Sequence, residues 1–185
     1  MTHVMIDLET FGNSPGCAFA SLGAIEFDPE TRKKGRSLYL VINKASCVAK
    51  GLTLDQDTIN WWATQPEEAR SVLAKSESEK VGEDNVTLEG ALIALTYFLK
   101  ECGDNVKVFS CGADFDLPLM VYAFKACGLE VPWKFWNSRC FRTWKSLAPW
   151  VKAPAGAVAH NALQDASDQV DHLFAIATNL RLKIR

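Results

Sequence analysis

No two of the six cysteines (Cys17, Cys47, Cys102, Cys111, Cys127 and Cys140) stand in a C-x-x-C pair. Their scatter argues against a zinc knuckle or a disulfide framework and fits reduced thiols in a cytoplasm. Long apolar runs are missing too: none approaches the roughly 20 residues of a membrane span. The first residues lack a basic region followed by an apolar segment, so no secretory signal is expected. Neither an internal repeat nor a low-complexity tract is present. Excess positive charge is also absent, since the formal net charge is −2, and no global basic field advertises nucleic acid. Two bound divalent ions would, however, reverse that sign and let a mildly acidic protein accept a polyanion. With 185 residues, 48% hydrophobic and 23% charged, the chain fits a single globular domain spanning residues 1–185.

Near the start, Asp7-Leu8-Glu9-Thr10 follows the apolar run Val4-Met5-Ile6, which reads as a buried strand. Side chains alternate along a strand, so Asp7 and Glu9 share one face and Leu8 the other. Two neighbouring carboxylates on a core strand repel each other and are costly to desolvate. A hard divalent cation would compensate them. On this tetrapeptide alone, a strand end reaching solvent is the simpler account.

Residues 18–27 and 36–43 read as two further strands joined at Asp28-Pro29-Glu30-Thr31, which suggests an antiparallel meander with Lys33, Lys34 and Arg36 on a solvated edge. Helical texture begins at Asp55. Pro66-Glu67-Glu68 signals a new helix start, and the polar residues 76–86 read as a flexible loop. From Thr87, Leu88, Ala91, Leu92, Leu95 and Leu99 fall at helical spacing. A short strand is expected at 106–110 and a helix from Asp116 to about Cys127. A further strand is expected within 135–141, then a short helix over residues 142–147. The last helix starts near Ala162, with Leu163, Ala166, Val170, Leu173, Phe174 and Ala177 inward and Asp168, Asp171 and His172 on its solvated face. This order predicts an α/β fold with a mixed sheet, not a doubly wound parallel one.

Two more acidic positions join the first pair. The strand at 106–110 leads through Cys111-Gly112-Ala113 into Asp114-Phe115-Asp116, where either acid could cap the following helix. In His160-Asn161-Ala162-Leu163-Gln164-Asp165, Asn161 is a good N-cap with Gln164 three residues on, a capping-box pattern. His160 then occupies N′ and Asp165 occupies N4, positions that meet in space at a helix start. A histidine stacked on a helix start beside an acid would have the same spacing without any chemistry.

Asp7-x-Glu9-Thr10, then Phe115-Asp116 after a strand, then His160-x4-Asp165 resembles, in order and spacing, the DEDDh 3′→5′ exonucleases of the ribonuclease H-like fold. That group includes ribonuclease T, oligoribonuclease and polymerase proofreading domains. The likeness runs from residue 4 to about 178. Phe11-Gly12-Asn13, Ile59-Asn60-Trp61-Trp62 with Gln65, and Glu68-Ala69-Arg70 look most like the compact bacterial and phage exoribonuclease-like branch. Gly112, preceded by Cys111, stands where many relatives carry Asn. The resemblance selects Asp116 over Asp114. It implies a mixed sheet of an antiparallel meander plus parallel strands, flanked by helices. It also implies two Mg²⁺ or Mn²⁺ ions held by Asp7, Glu9, Asp116 and Asp165, with His160 as general base and Asp7 bridging both ions. His160 is expected to sit too far out for chemistry until substrate and metals are bound, and the preceding loop at 153–157 has small residues suited to motion. The backbone of Thr10 and Phe11 would lie beside the terminal nucleotide, with the Phe11 ring wedging or stacking. Relatives of this kind are often homodimers.

Of the adjacent Trp61 and Trp62, one is expected inside and Trp62 is assigned to the substrate side. Trp133, Trp136, Arg139, Arg142, Trp144, Lys145, Trp150 and Lys152 interleave aromatics with cations, as single-strand binding surfaces do, although core or dimer packing explains tryptophans equally well. The expected activity is release of nucleoside 5′-monophosphates from single-stranded RNA or DNA 3′ ends. The alternatives are a phosphodiesterase on short oligonucleotides or dinucleotides, and a nucleic-acid-binding module without turnover.

Overall fold

In the computed structural model, which describes residues 2–154 and 160–185, the acids of the first strand lie at the centre of a five-stranded sheet. The strands are β1 (His3–Thr10), β2 (Phe19–Asp28), β3 (Lys33–Val41), β4 (Lys107–Ser110) and β5 (Ser138–Cys140), in spatial order β3-β2-β1-β4-β5. β1 pairs antiparallel with β2, and β2 with β3. β4 runs parallel to β1, and β5 parallel to β4. This is the expected mixed sheet. β2 and β3 begin one and three residues from where hydrophobicity alone placed them, because the pairing of Asp28 with Lys33 extends the hairpin into polar residues.

Seven helices flank the sheet among the described residues: α1 (Lys44–Ala49), α2 (Gln56–Trp62), α3 (Glu67–Glu77), α4 (Leu88–Glu101), α5 (Asp116–Ala126), α6 (Phe141–Leu147) and α7 (Ala162–Leu180). Strand alternation divides the core. Val4, Ile6 and Leu8 pack with the apolar faces of α4 and α5. Met5 points the other way, joining Ile25, Phe27, Phe109 and the Ala166–Val170–Leu173 stripe of α7. Asp7 and Glu9 continue that second face, so α7 covers the same side of β1 that carries the acids.

One residue sets how closely α7 approaches. Gly23 is the cross-strand partner of Asp7. A Cβ there would lie 2.2–2.3 Å from the backbone of Ala162 and Leu163, so only glycine lets the start of α7 rest on β2.

Two expectations need correction. Residues 76–86 are not a loose loop. Ser76 Oγ donates to Ile42 O, and buried Asn85 donates from Nδ2 to Lys75 O (2.7 Å) and Ser78 O (2.9 Å). His172 is not on a solvated face either: it is 7% exposed, its Nε2 lies 2.9 Å from Val151 O, and its ring meets that of Phe141. The small-residue loop assigned to motion lies, from residue 155 to 159, outside the described residues.

Candidate active site

Three elements bring the acids together. β1 supplies Asp7 and Glu9, the first turn of α5 supplies Asp116, and the first turn of α7 supplies Asp165. Glu9 is 7% exposed and Asp116 2%. The Asp116 carboxylate keeps one oxygen, Oδ2, buried with no hydrogen-bond partner. Asp114 is exposed, so Asp116 is the acid that turns inward.

Burial and mutual repulsion push these carboxyls upward. Asp7 is held well above the usual range, first by burial and then by the charges of Asp116 and Glu9, with a hydrogen bond from Gln169 opposing. Glu9 is pushed up to about 8 by burial and by Asp165 and Asp116. Asp116 rises to about 6 through burial, against the pull of neighbouring backbone N–H groups and Arg142. Asp165 is raised by burial, while His160 pulls it down. Converging carboxylates that hold their protons more tightly than usual for lack of a counter-charge, one with an orphaned oxygen, form a donor set suited to a hard divalent cation. Glu9, His160 and Asp165 place ligand atoms within 4.8 Å of one another.

The His160 imidazole is thus already beside the acids, contrary to the expectation that it stands too far out. Its backbone explains why. His160 has φ +66°, an uncommon left-handed conformation, and its N–H donates to Asp165 Oδ2 at 3.1 Å. Asn161 caps α7 by accepting from Gln164 N (3.0 Å). The capping box is only half formed, since Gln164 Nε2 turns outward to Asp168 Oδ1 (2.8 Å). The His160 ring packs edge-on against Trp61 and Trp62 with centroids 5.1 and 5.8 Å away.

Around the acids the cleft has two halves, which meet at Leu8 and Phe115. One, about 360 Å³, is lined by Asp7, Asp116, Asp165, Gln169, Arg142 and Lys145. The other, about 420 Å³, is lined by Glu9, Thr10, Asn13, Asp57, Trp61 and Trp62. Thr10 borders this second half with its Oγ1 donating to Gly12 O (2.6 Å).

Two assignments to substrate are corrected. The Phe11 ring is 2% exposed and part of the core, with no face free to stack; Lys44 lies over it instead. Trp62 is also 2% exposed, and its indole N–H donates to Thr10 O (2.9 Å), so it braces the end of β1. Trp61, 45% exposed, offers the open indole face.

Gln169 was missed by sequence reading. Its Nε2 donates to Asp7 Oδ1 at 2.7 Å, while its Oε1 is buried without a partner. Position 169 lies four residues after Asp165, hence on the same helix face, and that spacing was the available signal. Gly112 also finds an explanation. It has φ +139°, which a residue with a side chain rarely adopts, and the turn it makes carries the chain from β4 to Asp116.

Comparison with known proteins agrees with this geometry. An exodeoxyribonuclease of enterobacteria phage T4 is 31% identical over 165 residues, covering 77% of this chain and 70% of its own. Among solved structures, E. coli exonuclease I in complex with a dT13 oligonucleotide superposes with a TM-score of 0.69 at 14% identity, over 97% of this chain. The present chain spans only 42% of that enzyme. The nuclease domain of 3′hExo, a DEDDh family member bound to rAMP, gives a TM-score of 0.65 at 11% identity, covering all of this chain and 94% of that one. The family model of the Rv2179c-like 3′-5′ exoribonuclease domain matches residues 2–177, and the chain belongs to that family.

Proposed function

We propose that this chain is a divalent-metal-dependent 3′→5′ exonuclease that releases nucleoside 5′-monophosphates from single-stranded ends, residues 1–185 acting as one catalytic domain. The observation that carries the reading is the convergence of Asp7, Glu9, Asp116 and Asp165 with His160 in one cleft. A binding module would have no use for four carboxylates that destabilise one another.

Asp7, Glu9, Asp116 and Asp165 would hold two Mg²⁺ or Mn²⁺ ions. When bound, such ions stabilise charge on the transferring phosphoryl group and lower the pKa of water. His160, partly exposed beside Glu9 and Asp165, accepts the proton of the attacking water. Trp61 stacks on the terminal base, and the main chain at Thr10, braced by Trp62, forms the wall beside it. Arg142 and Lys145, in the other half of the cleft, neutralise the phosphates that precede the scissile bond. The relatives carry both sugars in their descriptions: the family is named for exoribonucleases, and the phage protein is an exodeoxyribonuclease. Single-stranded RNA and DNA ends are both proposed substrates. Exposed Phe135 and Trp136, packed edge-to-face on each other, supply apolar surface for a homodimer, which sedimentation equilibrium would test. Six free cysteines suit a reducing cytoplasm, and among the described residues no helix is long and apolar enough to cross a membrane.

The decisive assay uses 5′-labelled single-stranded RNA and DNA with Mg²⁺, Mn²⁺ or EDTA, comparing wild type with Asp7→Asn. A ladder shortening from the 3′ end, lost with EDTA and in the variant, is the expected result, and the faster polymer identifies the preferred sugar. Cleavage confined to dinucleotides would replace the polymer exonuclease with a small phosphodiesterase. No cleavage of any substrate would leave the binding module.

A further inference from the structure

A cavity of about 790 Å³, larger than either half of the catalytic cleft, opens at the other end of the sheet. β1, β4 and β5 are parallel, so their first residues gather at one rim as their last residues gather at the catalytic rim. His3 and Lys107 begin β1 and β4, and Arg139 lies on β5. The β2–β3 turn and residues 182–185 close the rim. His3 and Asp7 are separated by about 13 Å along β1, at roughly 3.3 Å per residue.

The lining is strongly basic. Arg32, Lys107, Arg139, Lys183 and Arg185 face it, against the carboxylate of Glu30 and the terminal carboxyl of Arg185. Among the described residues Arg32, Lys107, Lys183 and the Arg185 guanidinium make no ion pair. Arg139 Nε donates to the terminal carboxyl of Arg185 (2.9 Å), and its Nη1 to the backbone carbonyls of Trp136 and Ser138 (2.8 and 2.9 Å). Lys107 Nζ donates to Asn137 Oδ1 and Arg32 to the Thr178 hydroxyl, both neutral partners that position a charge without cancelling it.

At the cavity wall His3 is 2% exposed, held between the rings of Phe27 and Phe109. Both of its ring nitrogens are buried without a hydrogen-bond partner. An imidazole always carries at least one N–H, and leaving it unsatisfied in the interior is costly. Burial holds this histidine below its ordinary pKa, opposed by the nearby Thr2 backbone and reinforced by the charges of Arg139 and Lys107. An anion would relieve both defects at once, offering an acceptor to the ring and a counter-charge to the cations.

We propose that this cavity is a second anion site that takes a phosphate group, with Lys107 and Arg139 supplying the charge and the His3 ring a hydrogen bond. Arginine forks match the geometry of phosphate oxygens, and several unpaired cations fit a group carrying more than one negative charge. The phosphate belongs either to a small molecule, such as inorganic phosphate or a mononucleotide, or to the backbone of a polynucleotide.

The full chain with ¹⁵N-labelled histidine separates these cases by NMR in EDTA at constant ionic strength. Only three histidines are present. The His3 signals are assigned through His3→Gln or, should that variant not fold, by elimination through His160→Gln and His172→Gln. Inorganic phosphate, AMP and a single-stranded dT oligonucleotide without terminal phosphate are titrated in turn. Saturable movement of the His3 ring signals is expected with at least one probe, while His172 stays in place. Lys107→Gln/Arg139→Gln and, independently, the exposed pair Lys183→Gln/Arg185→Gln should each raise the dissociation constant, the first at least tenfold. A response to phosphate and AMP alone identifies a small phosphate, and a response to the oligonucleotide alone identifies a polynucleotide. Stationary His3 signals with all three probes, or a shift that survives unchanged in both folded double variants, would overturn the proposal.

Discussion

Burying four acids without a counter-charge has a thermodynamic signature at the level of single residues. Glu9 titrates near 4.5 when unfolded and near 8 in the fold, and Asp116 near 3.8 and 6. Between those values the folded chain binds more protons than the unfolded one, so stability falls as pH rises, by roughly 1.4 kcal/mol per pH unit for each such carboxyl. Melts in EDTA should therefore show a lower Tm at pH 8 than at pH 5. Glu9→Gln should flatten this trend and raise the metal-free Tm at pH 8 while abolishing cleavage. A wild-type Tm that is flat or rises over this interval would contradict the assignment. The same protons must leave when a divalent cation enters, so calorimetric binding enthalpies at pH 6.5 should vary with the ionisation enthalpy of the buffer. The two tryptophans separate in a different way. Trp62→Phe removes the donor to the buried Thr10 carbonyl and should cost about 1–3 kcal/mol of stability. Trp61→Ala should leave stability within about 0.5–1 kcal/mol and raise KM roughly tenfold through lost base stacking. Adjacent tryptophans on a helix can be told from the sequence to face different ways. Which one lies inside depends on where the end of β1 falls, and that is not a local property.

At the scale of elements, the helix starts and strands were largely legible because capping and periodicity are local. Asn161, Asp55 and Thr87 each accept from the amide three residues on, as their residue types predict. What escaped was set by long-range contact. The 76–86 segment is polar and reads as loose, yet Asn85 and Ser76 bury their side chains against main-chain carbonyls. His172 looked solvated by composition, but α6 packs over it. The acids themselves were legible as a motif, whereas their approach depends on Gly23, which no motif contains. Gly23→Ala would force the start of α7 away from β2. A displacement of about 1 Å at Asp165 and His160 is enough to cost about 100-fold in kcat, with about 1–3 kcal/mol of strain or repacking. A Gly23→Ala enzyme with wild-type kcat would show that α7 is not positioned by this contact.

Considered as a whole, the molecule acting as proposed would be a weak electrostatic binder of polyanions at its catalytic cleft. With a formal charge of −2 and, among the described residues, only Arg142 and Lys145 as cations lining the cleft, two phosphates would be neutralised there. For a single strand that gives a slope of log binding constant against log salt of about −1.4. The apparent affinity of a short oligonucleotide, followed from 50 to 200 mM salt with Asp7→Asn to prevent turnover, should fall only several-fold. A slope much steeper than this would reveal a longer basic track than the cleft contains.

The hydrogen bond from Gln169 to Asp7 joins residues 162 positions apart. The site thus depends on time as well as on geometry. A ribosome working at 5–20 residues per second needs about 8–30 s to pass from one to the other. During that interval the nascent chain displays the β1 acids but none of the α7 groups that complete them. A nuclease whose site joins residue 7 to residue 169 can cut nothing, including the message still being read, until synthesis has passed through α7.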